Sequence, residues 1–530
     1  MPITRVSTRP LIAPSKLLPL VFAVAVASGC AVGPDFKAPP APAPERYTAQ
    51  PLPQQTAATP TETPGGAAQV FVADRPLPTQ WWTLFGSPKL DRLVEQAFAN
   101  SPTVEAANAA LRQAQENLNA ERGGFFPSVD AAGGVSRQRA QAINIPGSTS
   151  TTSSIYNVYN ASVNVSYTLD LFGGVRRSVE RQAAVVDYQQ YQLQAAYLTL
   201  AANVVTSGVA EASLRDQISA TKDIVADLEK QLNIAKQRHE LGAAAYVDVL
   251  TANSNLASVR ATLPQLEKQL SAVQNQLAVY LGKLPSERET TDFDLGELLL
   301  PQEIPLSLPS ELARQRPDIR AAEASLHQAS AQIGVATANL YPQVSIAGGY
   351  GSQANTFGDL FSDKIWNIGA NISQPLFHGG TLTAQRRAAI AAFDQASADY
   401  RLTVLTAFQN VADALTALQS DAQIVQAQHE ALASAQGSLS ITEKQYALGG
   451  VSYLNLLIAQ RVYQQARIDY SQALASRYQD TAALFQALGG QWQATNTDVA
   501  AASANAGTTP SAAQQDVQQN TQQENGASPE

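Results

Sequence analysis

From Asn160 to Leu169 apolar and polar residues alternate without a break. Ala161, Val163, Val165, Tyr167 and Leu169 share one face; Asn160, Ser162, Asn164, Ser166 and Thr168 share the other. Trp366, Ile368, Ala370 and Ile372 oppose Asn367, Gly369, Asn371 and Ser373 in the same manner. Val129, Ala131 and Val135 mark a partner for the first of these strands, and Val344, Ile346 and Tyr350 a partner for the second. Four strands of about ten residues are predicted, near 128–140, 158–169, 343–352 and 366–375, joined in pairs by polar loops at about 141–157 and 353–365. Pro127, Pro342 and Pro375 fall at strand ends, where a missing N–H does no harm.

The rest of the body reads as helix. Residues 174–241 contain no proline and would span about 100 Å at about 1.5 Å per residue; residues 380–448 give the same length. Leu214, Ile218, Val225, Leu228 and Leu232, with Thr221 in the gap, follow a coiled-coil spacing, repeated by Val425, Leu432 and Leu439. Two shorter helices, at 102–126 and 243–281, together reach about 96 Å, nearly the length of the long one. Pro264 is expected to kink the second of these.

The chain is written twice. Residues 102–134 align without gaps to 317–349, an offset of 215. Leu171-Phe172-Gly173-Gly174 answers to Leu376-Phe377-His378-Gly379-Gly380, and Leu241-Gly242 with Tyr246 to Leu250 answers to Leu448-Gly449 with Tyr453 to Leu457, at offset 207. A period above 200 residues is a duplication rather than a solenoid repeat. The first copy is bounded at 80–300 and the second at 301–490.

The ends read differently. Arg5, Arg9 and Lys16 precede an apolar run from Leu17 to Ala27, too short to cross a bilayer, so residues 1–29 read as a secretory signal. The sequence Ala27-Ser28-Gly29-Cys30 resembles a lipobox, which makes Cys30 the expected site of lipidation. Residues 30–79, rich in Pro, Ala, Thr and Gln, read as an extended tether, and 491–530 as a disordered tail.

Composition narrows the chemistry. Among 530 residues only 15% are charged and the net charge is −9, which becomes −12 once the three basic residues of the signal are removed. Such a chain offers no basic face for nucleic acid. One Cys and four scattered His exclude an internal disulfide framework and leave little for a metal site, and the single Met is the initiator. No Gly-x-Ser-x-Gly elbow or phosphate loop occurs, so neither catalysis nor a cofactor is expected.

Strands with one apolar and one polar face suit a sandwich or a transmembrane barrel. A barrel in lipid must close, and four strands are fewer than the roughly eight of the smallest known. Three chains would supply twelve strands, continued by twelve helical columns about 100 Å long. The opposing readings are a soluble sandwich beside a coiled coil, or a lipoprotein spacer between membrane and cell wall.

The chain resembles the TolC/NodT-type outer-membrane factors, in particular the lipoprotein branch that serves resistance-nodulation-division pumps. The resemblance rests on Cys30-Ala31-Val32-Gly33-Pro34-Asp35-Phe36, Trp81-Trp82-Thr83-Leu84-Phe85 with Leu90 and Leu93, Leu169-Asp170-Leu171-Phe172-Gly173, Gln374-Pro375-Leu376-Phe377-His378-Gly379-Gly380, and the two Leu-Gly turns. It covers about residues 30–490 and implies a homotrimer: a 12-stranded barrel on a helical tube. The implied partners are a periplasmic membrane-fusion adaptor and an inner-membrane transporter. Ala31 after the lipidated Cys implies the outer rather than the inner membrane.

By the same resemblance, the turns Leu241-Gly242-Ala243 and Leu448-Gly449-Gly450 dock the adaptor, and a gate lies just beyond them. Asp248 matches an acidic gate position, whereas Asn455 and Ile458 stand at the two acidic places of the second copy and Val451 at a basic one. These substitutions lead us to expect a constriction closed by apolar packing through Leu457 and Ile458, with Asp248 as the remaining charge.

Overall fold

A computed structural model describes residues 31–489 apart from 41, 43, 45, 60–64, 142–152 and 289–292. The signal, Cys30 and the tail beyond Gly489 therefore lie outside the described residues. The chain separates into two compact units. One comprises Glu105–Leu193 and Pro317–Phe408 with the segment ending at Pro42; the other comprises Ala43–Val104, Gln194–Arg316 and the chain from Gln409.

The first unit holds a four-stranded antiparallel sheet built from β2 (Ser128–Gln141), β3 (Ser153–Leu169), β5 (Gln343–Ala354) and β6 (Lys364–Ser373), in the order β2-β3-β5-β6. The first pair is longer than the alternation alone indicates, at 14 and 17 residues. Register decides the meaning of the sheet. Ala131, Val163, Tyr350 and Trp366 stand opposite one another across all four strands, as do Val129, Val165, Gly348 and Ile368. The other face carries Asp130, Asn164, Gly349 and Asn367 in one row. A Cβ on Gly349 would lie 2.6 Å from Asn367 Oδ1 and 3.0 Å from Asn164 Oδ1, so glycine leaves room for two amides to meet. The apolar face is exposed in the single chain, Trp366 at 73% and Ile368 at 75%.

The motif after β3 is a helix start. Gly173 turns the chain at φ +78°, and the Asp170 carboxylate accepts from the backbone N–H of Val175 and of Arg176, each at 3.0 Å. Those are orphan donors at the head of α3 (Gly174–Glu240), a place that also favours negative charge.

The expected tether is corrected here: residues 31–36 are packed against the helix bases of this unit. Val32 donates to the Phe172 carbonyl at 3.0 Å. Arg177, with its side chain only 6% exposed, reaches the Val32 and Gly33 carbonyls and pairs with Asp35 and Glu180, each at 2.7 Å. Phe36 stacks on His327, centroids 4.4 Å apart, on α7 (Pro317–Ala338), and His327 contacts Glu180 at 2.9 Å. A segment without periodicity has no internal pattern to reveal such docking, because its backbone carbonyls are what is recognised.

The second unit is organised around α1 (Pro88–Asn100), the continuation of α3, α4 (Tyr246–Arg260), α5 (Leu263–Tyr280), and α9 (Tyr453–Leu488) after α8 (Thr381–Ala447). Pro264 stands at the head of α5, so one expected kinked helix is two helices. The strands β1 (Val70–Ala73) and β4 (Glu303–Leu306) pair in parallel. Trp81, Phe85 and Phe485 form a buried aromatic core with Tyr478, Trp81 and Phe485 lying 5.7 Å apart. Arg477 is fully buried and donates to the carbonyls of Gly65 and Ala67, both at 2.8 Å, and to Thr56 Oγ1. Gln69, also fully buried, donates to the Pro301 carbonyl and to Thr481. Thr56, Gly65, Ala67, Gln69 and Val70–Ala73 of the expected tether are thus built into this unit.

Candidate functional site

The two helix-ending turns repeat one another atom for atom. Gly242 N–H donates to the His239 carbonyl at 2.9 Å and Ala243 N–H to Arg238 at 2.8 Å; Gly449 donates to Tyr446 at 3.0 Å and Gly450 to Gln445 at 2.8 Å. Both form the Schellman arrangement, in which the residue after the helix is left-handed. Gly242 (φ +75°) and Gly449 (φ +77°) take that conformation without a Cβ penalty.

Each turn also clasps two rings. His239 and Tyr246 lie 5.3 Å apart at 45°, and Tyr446 and Tyr453 lie 5.7 Å apart at 49°. The turns are tied to one another by Arg238, whose guanidinium stands 4.8 Å above the Tyr446 ring. Beneath them Ile224, Leu228 and Leu232 of α3, Val249, Ala252 and Leu256 of α4, and Tyr453, Leu456 and Leu457 of α9 close a hydrophobic cluster.

The residues expected at the gate separate within this geometry. Leu457 is buried in the cluster, so it packs inside the subunit rather than facing outward. Ile458, one position along, is 54% exposed, and Asn455 is exposed at the first turn of α9. Leu454 and Val462, at i−4 and i+4 from Ile458, extend its exposed apolar stripe. That stripe was legible in the spacing of the sequence and passed unrecognised. Asp248 is half-buried in the first turn of α4. The buried Tyr453 hydroxyl is pushed up to about 12 by burial, with Tyr446 and Asp248 adding to the rise. Leu241 and Leu448, at the tips of the turns, are 84% and 88% exposed.

Among the described residues no group of three or more His, Cys, Asp or Glu converges in a metal-binding arrangement. Among the described residues the four-stranded sheet is apolar on one face and polar on the other, and the outer edges of β2 and β6 are unpaired.

Known proteins share this arrangement. A family model described as "Outer membrane efflux protein" matches residues 93–283 and 308–490. The "Pyoverdine export outer membrane protein OpmQ" of Pseudomonas aeruginosa is 31% identical over 416 residues, 78% of this chain and 88% of the relative. The "Antibiotic efflux pump outer membrane protein ArpC" of Pseudomonas putida is 30% identical over 484 residues, 90% of this chain and 96% of the relative. Among solved structures, the outer-membrane channel OprN superposes with a TM-score of 0.76 at 27% identity, over 87% of this chain and all of that one.

Proposed function

The chain belongs to the outer membrane efflux protein family, and from that premise we propose that it is the outer-membrane duct of a tripartite efflux system, assembled as a homotrimer. Three copies bring twelve strands into a closed barrel and continue it with a helical tube on the periplasmic side. The duct conducts passively what an inner-membrane transporter of the resistance-nodulation-division type delivers through a periplasmic adaptor.

The single observation that carries this reading is the register of the sheet, which segregates apolar from polar side chains across four strands and leaves both edges unpaired among the described residues. From Leu169 to Tyr159 the apolar face runs for 11 residues of β3, about 33 Å of strand. At the usual tilt of about 40° that is close to the roughly 25 Å apolar band of membrane barrels.

Lipidation of Cys30 anchors the mature N-terminus in the same membrane. Leu241, Gly242, Ala243, Leu448, Gly449 and Gly450 receive the adaptor. Asp248, Asn455 and Ile458 line the constriction, and Leu457 fixes α9 behind them. Cargo is not selected by this chain: relatives of about 30% identity bear names for pyoverdine export and for antibiotic efflux, and a water-filled tube touches its passengers weakly.

The test is conductance. Protein extracted in mild detergent should migrate as a trimer and give discrete channels in a planar bilayer. A photo-crosslinker at Leu448 should capture an adaptor. Material that is folded, monomeric and silent in the bilayer would refute the reading.

A further inference from the structure

The apolar face of the sheet is not smooth. Ala131, Ala161, Val163 and Tyr350, with Phe361 from the β5–β6 connection overhanging them, line a groove of about 500 Å3 whose rim carries Lys364. That volume falls within the roughly 300–1,000 Å3 of small-molecule sites. Small residues make it: Ala131, Gly133 and Ala161 occupy adjacent positions where neighbouring rows carry Val165 and Tyr159. Aromatic side chains border it, Phe361 and Trp366 being 74% and 73% exposed and Phe357 lying edge-on to Tyr159.

Charge on this face is one-sided. Gly133, Ala161, Ser352 and Lys364 form one row; Arg137 and Arg139 follow on β2 toward the end of the sheet remote from the helices, on the same face. Arg137 and Lys364 make no ion pair among the described residues. The nearby Asp359 carboxylate accepts from the Thr356 hydroxyl at 2.6 Å. In a chain of net charge −9, a basic fringe beside an apolar groove on the face turned to lipid is a selective placement.

The geometry points to a binding site for a phosphate-bearing, multiply acylated lipid of the outer leaflet, with an acyl chain in the groove and its phosphate at Lys364. The inference rests on the channel reading, which turns this face to hydrocarbon and this end of the sheet outward. An acyl chain fills the groove without leaving polar groups unpaired, and the lysine supplies a point charge for a phosphate. A protein partner is disfavoured, because hydrocarbon already covers the apolar surface around the groove.

The full lipoprotein trimer would be incubated in detergent with bisphosphorylated hexa-acyl lipid A or with its dephosphorylated counterpart, and retained lipid counted by native mass spectrometry. Wild type should retain the phosphorylated form about tenfold better. Lys364→Ala should abolish that preference, and Ala161→Phe, which fills the groove, should lower retention of both forms. Bilayer conductance is measured in parallel. Conducting trimers that hold both lipids equally, or whose retention neither variant changes, would overturn the lipid site alone. Absence of trimers and of conductance would instead overturn the channel reading, and the lipid site with it.

Discussion

The guanidinium of Arg238, in the last turn of α3, lies 4.8 Å from the ring centroid of Tyr446, in the last turn of α8. The two residues come from the two copies of the duplicated unit, and this contact joins the two turns above the hydrophobic cluster they share. A half-buried cation over an aromatic face contributes about 0.5–1 kcal/mol, enough to bias a constriction but not to hold the fold. Arg238→Ala and Tyr446→Ala should therefore leave the melting temperature within a few degrees of wild type. Both should raise single-channel conductance, and the double variant should match either single one. Unchanged conductance in all three would remove the pair from the gate.

The exposed stripe on α9 gives a separate expectation. Ile458→Asp places a carboxylate at a position that the family resemblance makes acidic, and it does so on an exposed side chain, so the subunit should fold normally. Conductance should become sensitive to divalent cations, which a ring of three carboxylates would bind. Leu457→Asp places the same charge in the buried cluster and should instead fail to fold or lose several kcal/mol of stability. Equal behaviour of the two variants would contradict the division of roles between these neighbours.

That division shows what the sequence could and could not say. The alternation from Asn160 to Leu169 and the duplicated Gly242 and Gly449 are local signals, and strands and turns follow from them directly. Tyr453, Leu456 and Leu457 stand at i, i+3 and i+4, the spacing of a buried face, yet sequence reasoning assigned Leu457 to the gate because its neighbour stood at an acidic family position. The pairing of Val70–Ala73 with Glu303–Leu306 joins four-residue strands more than two hundred positions apart, too short for any periodicity to register. The segment at 31–36 carried a family motif but no periodicity that would place it, since Arg177 takes its backbone oxygens and the Asp35 carboxylate, and His327 takes one ring.

Gly33 offers a direct probe of that docking. Its φ is +101°, and a Cβ there would lie 2.5 Å from the Gly334 Cα, a backbone atom that has no freedom to yield. Gly33→Ala should cost about 1–3 kcal/mol from the conformation alone. It should also release residues 31–36 to limited proteolysis while leaving the strands and turns intact. A variant as resistant to protease as wild type would mean that the segment does not depend on this approach.

Asp421 of α8 is 8% exposed and lies near Asp480 of α9. Burial first, and then the proximity and charge of the Asp480 carboxyl, push its carboxyl up to about 7, while Arg477 pulls the other way. In the unfolded chain the same group titrates near its ordinary value of about 3.9. The folded protein therefore keeps a proton that the unfolded chain has already released. The stabilisation is complete below about pH 4 and is lost as pH rises through about 7, because the unfolded state then gains by ionising. Asp421→Asn keeps the hydrogen-bonding shape without the charge, so its melting temperature should exceed that of wild type at about pH 8 and converge with it at about pH 4. Asp480→Asn should give a smaller change of the same sign, because it removes the like charge but leaves the burial. A wild-type melting temperature that rises with pH across this window, with Asp421→Asn tracking it in parallel, would show that the pair holds no shared proton.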